Sequence, residues 1–321
     1  MSLSAELVHT ALLDCLSPHT EARRGAEARI ATYQSARGFG AVLMQMLCEP
    51  SVNVGVRQMA AVVLRQAVVR DRWRVLDADE KGYIREHLVS ALGDATRKIR
   101  SATADVVSSI ARFDWPAEWP TLVPGLLTMA TSGGGGGGGG SSSEAAVAGA
   151  LYCLDMVVRG TAERDVLALQ EPVLRQLLPL AQSGSAAAQL GALQVATPLV
   201  DAAGTAGLER GDAAHTGVAH ALAPLLPPWL AVAGALLLRS DLAAVPLQHA
   251  ALRLVSRALY HFPRLVEALA APAPSAAELV QIVVGTLAAA GRAELLWRAM
   301  GGDASAGGGG GGGGGGDDET A

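Results

Sequence analysis

Val56-Arg57-Gln58-Met59-Ala60-Ala61-Val62-Val63 and Ile99-Arg100-Ser101-Ala102-Thr103-Ala104-Asp105-Val106 are one pattern written twice. Both read β-branched residue, arginine, two variable positions, small residue, alanine, variable position and valine, and the copies lie 43 residues apart (99 − 56). An earlier partial copy, Ala22-Arg23-x-x-Ala26, precedes the first by 34 (56 − 22). Apolar positions continue each copy at helical spacing: Ala22, Ala26 and Ile30; Val56, Ala60, Val63 and Ala67; Ile99, Thr103, Val106, Val107 and Ile110. Side chains three and four apart share one helix face, so each stripe predicts a helix with one buried side.

Every stripe has a second helical segment before it: Ala5 to Leu16, Phe39 to Leu47 and Asp79 to Leu92. Ser17-Pro18 opens the helix predicted from Pro18 to Ala36, a cap residue followed by a first-turn proline. The chain therefore reads in helix pairs. A hairpin recurring every ~40–47 residues marks a HEAT or armadillo α-solenoid, in which each pair buries its face only against its neighbours. Downstream, Glu144 to Arg159, Pro172 to Gln182, Ala186 to Ala203, His220 to Arg239, Leu247 to Leu269 and Ser275 to Met300 also read as helices. The expected fold is all-α, a right-handed superhelix of six or seven antiparallel helix pairs.

Two glycine tracts punctuate it, Gly133 to Gly140 followed by three serines, and Gly307 to Gly316 followed by Asp317, Asp318 and Glu319. Neither ends in the Gly-Lys-Ser/Thr of a phosphate loop, so both read as solvated linkers. The expected organisation is helical repeats over 1–131, a Gly/Ser-rich flexible loop over 132–143, further repeats over 144–301 and a Gly-rich acidic disordered tail over 302–321. From Ala221 to Leu238 no residue is charged, a run that approaches the ~20 residues a membrane span needs. Pro224, Pro227 and Pro228 leave only Trp229 to Leu238 as an uninterrupted helix, and no basic cluster flanks it, which favours a buried solenoid helix.

Composition narrows the function. Hydrophobic residues at 50% supply a core, while aromatics at 4% give too few platforms for stacking on single-stranded nucleic acid. The net charge of −5 excludes a general phosphate-backbone footprint. Up to Pro120 there are 15 basic against 14 acidic residues, and beyond it 10 against 16, so the acidity lies downstream. Three widely spaced cysteines form neither a disulfide framework nor a zinc ribbon and fit a reducing compartment. Glu6 and Asp14 interrupt the first apolar stretch, unlike a secretory signal. The seven histidines are dispersed, and no nucleophile elbow, zinc pair or calcium loop occurs. A binding protein is expected rather than an enzyme, with no catalytic, metal or cofactor site.

The unusual stretch is Phe113-Asp114-Trp115-Pro116-Ala117-Glu118-Trp119-Pro120. Each proline disfavours helix at the residue before it, so Trp115-Pro116 and Trp119-Pro120 predict a structural corner between the third and fourth pairs, packed by both indoles.

Together with Val-Arg-Gln-x-Ala-Ala-x-x-Leu-Arg over Val56 to Arg65, Trp73, and Lys-Ile-Arg-Ser over Lys98 to Ser101, this corner resembles the N-terminal HEAT-repeat region of the importin-β (karyopherin-β) family of transport receptors. The specific likeness covers residues 1 to 130, and Tyr260-His261-Phe262-Pro263 is similar to a later repeat. The glycine runs depart from the family pattern, and the family's receptors are several times longer. The resemblance implies a nuclear import receptor that binds Ran in the GTP state, basic cargo such as histones or ribosomal proteins, and nucleoporin repeats, and that shuttles between cytoplasm and nucleus. It implies no direct nucleic-acid contact and no membrane insertion. Carried onto this sequence, the inner-helix cations for Ran are Arg57, Arg65, Lys98 and Arg100. Their alternative role is solvation or an inter-repeat salt bridge.

Overall fold

A computed structural model describes residues 4–132, 141–210, 212–239, 244–267 and 275–299. No strand occurs among them. The helices are α1 (Ala5–Cys15), α2 (Thr20–Tyr33), α3 (Phe39–Cys48), α4 (Val54–Val63), α5 (Ala78–Ala91), α6 (Arg97–Asp114), α7 (Leu122–Ser132) and α8 (Ser141–Gly160). They continue with α9 (Glu163–Ser183), α10 (Ala186–Arg210), α11 (Asp212–Leu222), α12 (Leu226–Leu237), α13 (Val245–His261), α14 (Pro263–Glu267) and α15 (Ala276–Ala299). A π-helical stretch, Leu64–Arg70, extends α4, and a 3-10 turn, Trp73–Val75, follows it.

Local signals set many of the ends. Asn53 accepts a hydrogen bond from the Gly55 amide at 2.8 Å and opens α4. Gly38 stands before α3 at φ +79°, a left-handed conformation that a Cβ would strain. The Glu80 carboxylate from α5 accepts from the Gly38 and Ala41 amides, both at 3.3 Å, and so places a negative charge on the N-terminus of α3. Ser275 and Glu278 form a reciprocal capping box at the start of α15.

The helices pack as α1 with α2, α3 with α4, α5 with α6, α7 with α8, α9 with α10 and α12 with α13, and α15 follows against α12. First helices of each pair form one row, in which α1 meets α3, α3 meets α5, α7 meets α9, and α9 meets α12. Second helices form the other row, α4 to α6 to α8 to α10 to α13. This is the expected HEAT-type solenoid. In α6 the stripe Ile99, Thr103, Val106, Val107 and Ile110 is fully buried, with each large aliphatic side chain contributing about 1.5–3 kcal/mol of burial.

Differences from the sequence reading have proline in common. The helix expected from His220 to Arg239 is two, parted at Ala223–Leu225, because Pro227 and Pro228 occupy first-turn positions of α12. The segment from Leu247 likewise divides into α13 and α14 at Phe262, which sits at φ −130°, ψ 51° before Pro263. Conversely, α9 begins at Glu163, nine residues before the expected start (172 − 163), and runs through Pro172 and Pro179. Tertiary packing there outweighs the lost amide donors. The boundary drawn at 132–143 also moves: Ser132 ends α7 and Ser141 to Ser143 open α8. Gly133 to Gly140 and the tail 302–321 lie outside the described residues.

Most large side chains of the uncharged segment are interior, although Leu238 at its end is exposed. Leu226, Trp229, Leu230, Ala233, Leu236 and Leu237 of α12 are buried, and no helix among the described residues is long and apolar enough to cross a membrane.

Candidate functional site

The Trp-Pro corner lies between α6 and α7. Trp119 is buried and Trp115 is partly buried against the core. Pro116 and Pro120 are exposed. The corner has a centre that sequence reasoning missed. Asp114, 4% exposed, accepts from the Trp73 indole Nε1 at 2.8 Å and from Arg85 Nε at 3.0 Å, while Arg85 Nη2 makes a second, closer contact with the same carboxylate oxygen. The Arg85 guanidinium lies 5.7 Å from the Trp73 ring centroid and 6.0 Å from that of Trp119. It also donates to the Glu118 carbonyl at 3.2 Å. One buried carboxylate thereby joins α5, the turn after α4, and the corner.

The four cations nominated for Ran separate into two kinds. Arg57, on the first turn of α4, is 4% exposed; its Nε donates to the Leu47 carbonyl at 2.8 Å and its Nη2 pairs with the Asp94 carboxylate. Arg100 Nη1 donates to the carbonyls of Asp94 and Ala95 at 2.7 and 2.9 Å. Both hold the turn before α6, Arg57 across repeats from α4 and Arg100 within its own helix pair, so Arg57 fills the inter-repeat salt-bridge role. As a surface contact Arg57 is corrected, because a buried cation that leaves its carboxylate would strand it, while half-buried Arg100 is engaged by two backbone carbonyls. Lys98 is exposed, and Arg65 is half-buried in the π-helical stretch with its guanidinium at a cleft. These two remain available to a partner.

That cleft holds about 360 Å³ between the π-helical stretch and the last turn of α6. Further along the same row, burial pushes the Asp155 carboxyl up from its ordinary range, opposed by Arg159 and Arg253. Burial first, then Asp105 and Asp155, raises the Tyr152 phenol. Among the described residues no cluster of histidine, cysteine or carboxylate side chains could hold a metal ion.

Residues 26–94 match the importin-beta N-terminal domain family. Over these residues the chain is similar to the importin-β family. Importin-11 of Mus musculus is 24% identical over 132 residues, 40% of this chain and 13% of its own length. Exportin-2 of Pagrus major is 26% identical over 129 residues, covering 38% and 13%. Importin-9 of Drosophila melanogaster is 28% identical over 123 residues, covering 35% and 12%. The chain thus spans about an eighth of the length of these relatives. Among solved structures, Kap95p, described as inducing the switch loops of RanGDP to adopt the GTP-bound conformation, superimposes with TM-score 0.64 at 18% identity over 88% of this chain and 33% of its own. Yeast importin-β (Kap95p) gives TM-score 0.62 at 16% identity, covering 93% and 36%. The solenoid likeness therefore extends well beyond the 69 residues (94 − 26 + 1) matched by the domain family.

Proposed function

We propose that this chain is the N-terminal portion of a nuclear transport receptor that binds Ran in the GTP state and carries protein cargo into the nucleus. The observation that carries the reading is the importin-β N-terminal domain at residues 26–94, set at the start of a solenoid that continues through α15. Arg65 and Lys98, on successive helices of one row, offer cations to an acidic GTPase surface, and such contacts dissolve when switch segments rearrange. The solenoid provides an extended surface for cargo, and the net acidity beyond Pro120 suits basic cargo such as histones or ribosomal proteins. Nucleoporin repeats are proposed as a further partner class, since a Kap95:Nup1 complex is among the structural neighbours. The protein would act by binding rather than by catalysis and would shuttle between cytoplasm and nucleus.

Immobilised full-length chain incubated with Ran loaded with a non-hydrolysable GTP analogue or with GDP tests this. Preferential retention of the GTP form is expected. Equal retention of both would favour a HEAT-repeat interaction scaffold without nucleotide dependence.

A further inference from the structure

The cleft at the end of α4 has a chemistry of its own. Arg65 and Arg70 of the π-helical stretch and Arg112 of α6 line it, with Ser109, Val69 and Phe113, and no carboxylate lines it. None of the three arginines has a carboxylate or carbonyl partner among the described residues, whereas Arg57, Arg85 and Arg100 nearby are all committed to carboxylates or carbonyls. Arg70 and Arg112 are exposed, and a fourth cation, Arg74, stands 5.7 Å from the Phe113 ring centroid. Phe113 is itself 47% exposed at the edge of the cleft. Uncompensated guanidiniums gathered around a concave surface repel one another until an anion arrives, and each can donate two parallel hydrogen bonds to a carboxylate. An exposed aromatic ring beside them gives the same ligand an apolar contact. The π-helical stretch widens the turn here and places Arg65 and Arg70 on the cleft, a distortion that helices often carry at functional sites.

We propose that this cleft docks a short acidic peptide segment of a protein partner, its carboxylates received by Arg65, Arg70 and Arg112 and one aliphatic or aromatic side chain set against Phe113. The preference is opposite in charge to the basic cargo proposed above, so the first repeats and the later ones present two recognition surfaces. The inference does not depend on Ran, and its test contains none.

The probe is a fluorescein-labelled peptide Asp-Glu-Asp-Leu-Glu-Asp, titrated with the full chain by fluorescence polarisation. Its Lys-Arg-Lys-Leu-Arg-Lys counterpart serves as the control. The acidic peptide should bind and the basic one should not, and raising salt should weaken binding, as expected for charge pairs near the surface. Arg70→Glu with Arg112→Glu should weaken the acidic peptide by about tenfold or more, while Phe113→Ala weakens it less and leaves the salt dependence unchanged. All three side chains are solvent-exposed, so circular dichroism should be unaltered; Arg70→Gln with Arg112→Gln gives the milder version should the reversal disturb folding. Binding that survives both double substitutions, or equal binding of the basic peptide, would overturn the proposal.

Discussion

Trp73 and Trp229 are both fully buried indoles, and what each N–H donates to separates the two halves of the molecule. Trp73 donates to the carboxylate of Asp114, which also holds Arg85. Trp229 donates to a backbone carbonyl, that of Leu174, at 3.1 Å. Exposed pairs such as Arg24–Glu21 and Arg37–Asp77 occur in the first half too, but among the described residues the most enclosed arginine–carboxylate pairs are there. In residues 4–132, Arg57–Asp94 and Arg85–Asp114 are buried, with side-chain exposures of 4%/14% and 17%/5%. In residues 141–299, Arg159–Asp155 and Arg257–Asp201 keep half-exposed arginines, and the buried His261 reaches a half-exposed Asp201. Here the packing is mainly Leu, Val and Ala. Gly204 brings α10 so close to α13 that a Cβ would overlap the His261 ring. One plan of helix pairs is thus specified by buried charge at the start and by close apolar contact later. Buried ion pairs add little net stability but tolerate few alternatives, so their loss is costly.

The largest effect should come from that hub. Asp114→Ala strands the Arg85 cation and the Trp73 N–H, and should destabilise the first half by about 3–5 kcal/mol. Trp119→Ala should cost a similar ~3–5 kcal/mol by emptying a core site. Urea unfolding followed by tryptophan fluorescence checks both, and a loss no larger than that of a surface substitution would erase the contrast between the halves.

A smaller effect has the opposite sign. Thr103 stands where Ala60 stands in the preceding repeat, and its hydroxyl is buried without a partner. Thr103→Val keeps the shape and removes the unpaired group, so it should stabilise by roughly 1 kcal/mol in the same unfolding experiment. A destabilised variant would mean that the hydroxyl has a partner.

The smallest effect belongs to the second half. Arg159→Ala removes an i, i+4 pair with a half-exposed guanidinium and should change stability by no more than about 0.5 kcal/mol. Its signature is in pH. Asp155 has a folded-state pKa raised by burial, so the native state holds this proton more firmly than the unfolded chain. Its contribution favours folding below the ordinary carboxylate value and is lost as pH rises through the folded value. Without Arg159, which opposes the shift, that value should rise further, and thermal melts across the mildly acidic range should show a steeper fall for Arg159→Ala than for the parent.

The stripes and the pairing of helices were legible because burial repeats at helical spacing, and Ile99 to Ile110 or Val56 to Ala67 state it within one segment. The buried polar residues were not. Trp73, Arg85 and Asp114 meet across separations of 41 and 29 residues, and Arg57 meets Asp94 across 37, distances at which no local spacing marks a partner. Asp114 stood inside the quoted Trp-Pro motif, yet the indoles on either side carried the reading. For the same reason Arg57 and Arg100 looked like surface cations: the Arg-x-x-Ala repeat gives their helix position and not the carbonyls and carboxylate they reach. The arginine cleft was invisible because the π-helical turn that gathers Arg65 and Arg70 has no signature in the residues themselves.

The proposed recognition of Ran's nucleotide state rests on Arg65 and Lys98, for which no partner is seen among the described residues. The direct measurement is a titration of Ran-GTP and Ran-GDP into the unmodified full chain and into its Arg65→Glu, Lys98→Glu variant, by biolayer interferometry. Tighter binding of the GTP form, weakened about tenfold or more in the variant and most strongly at low salt, is the predicted result. Equal affinity for both nucleotide states in the unmodified chain would contradict it.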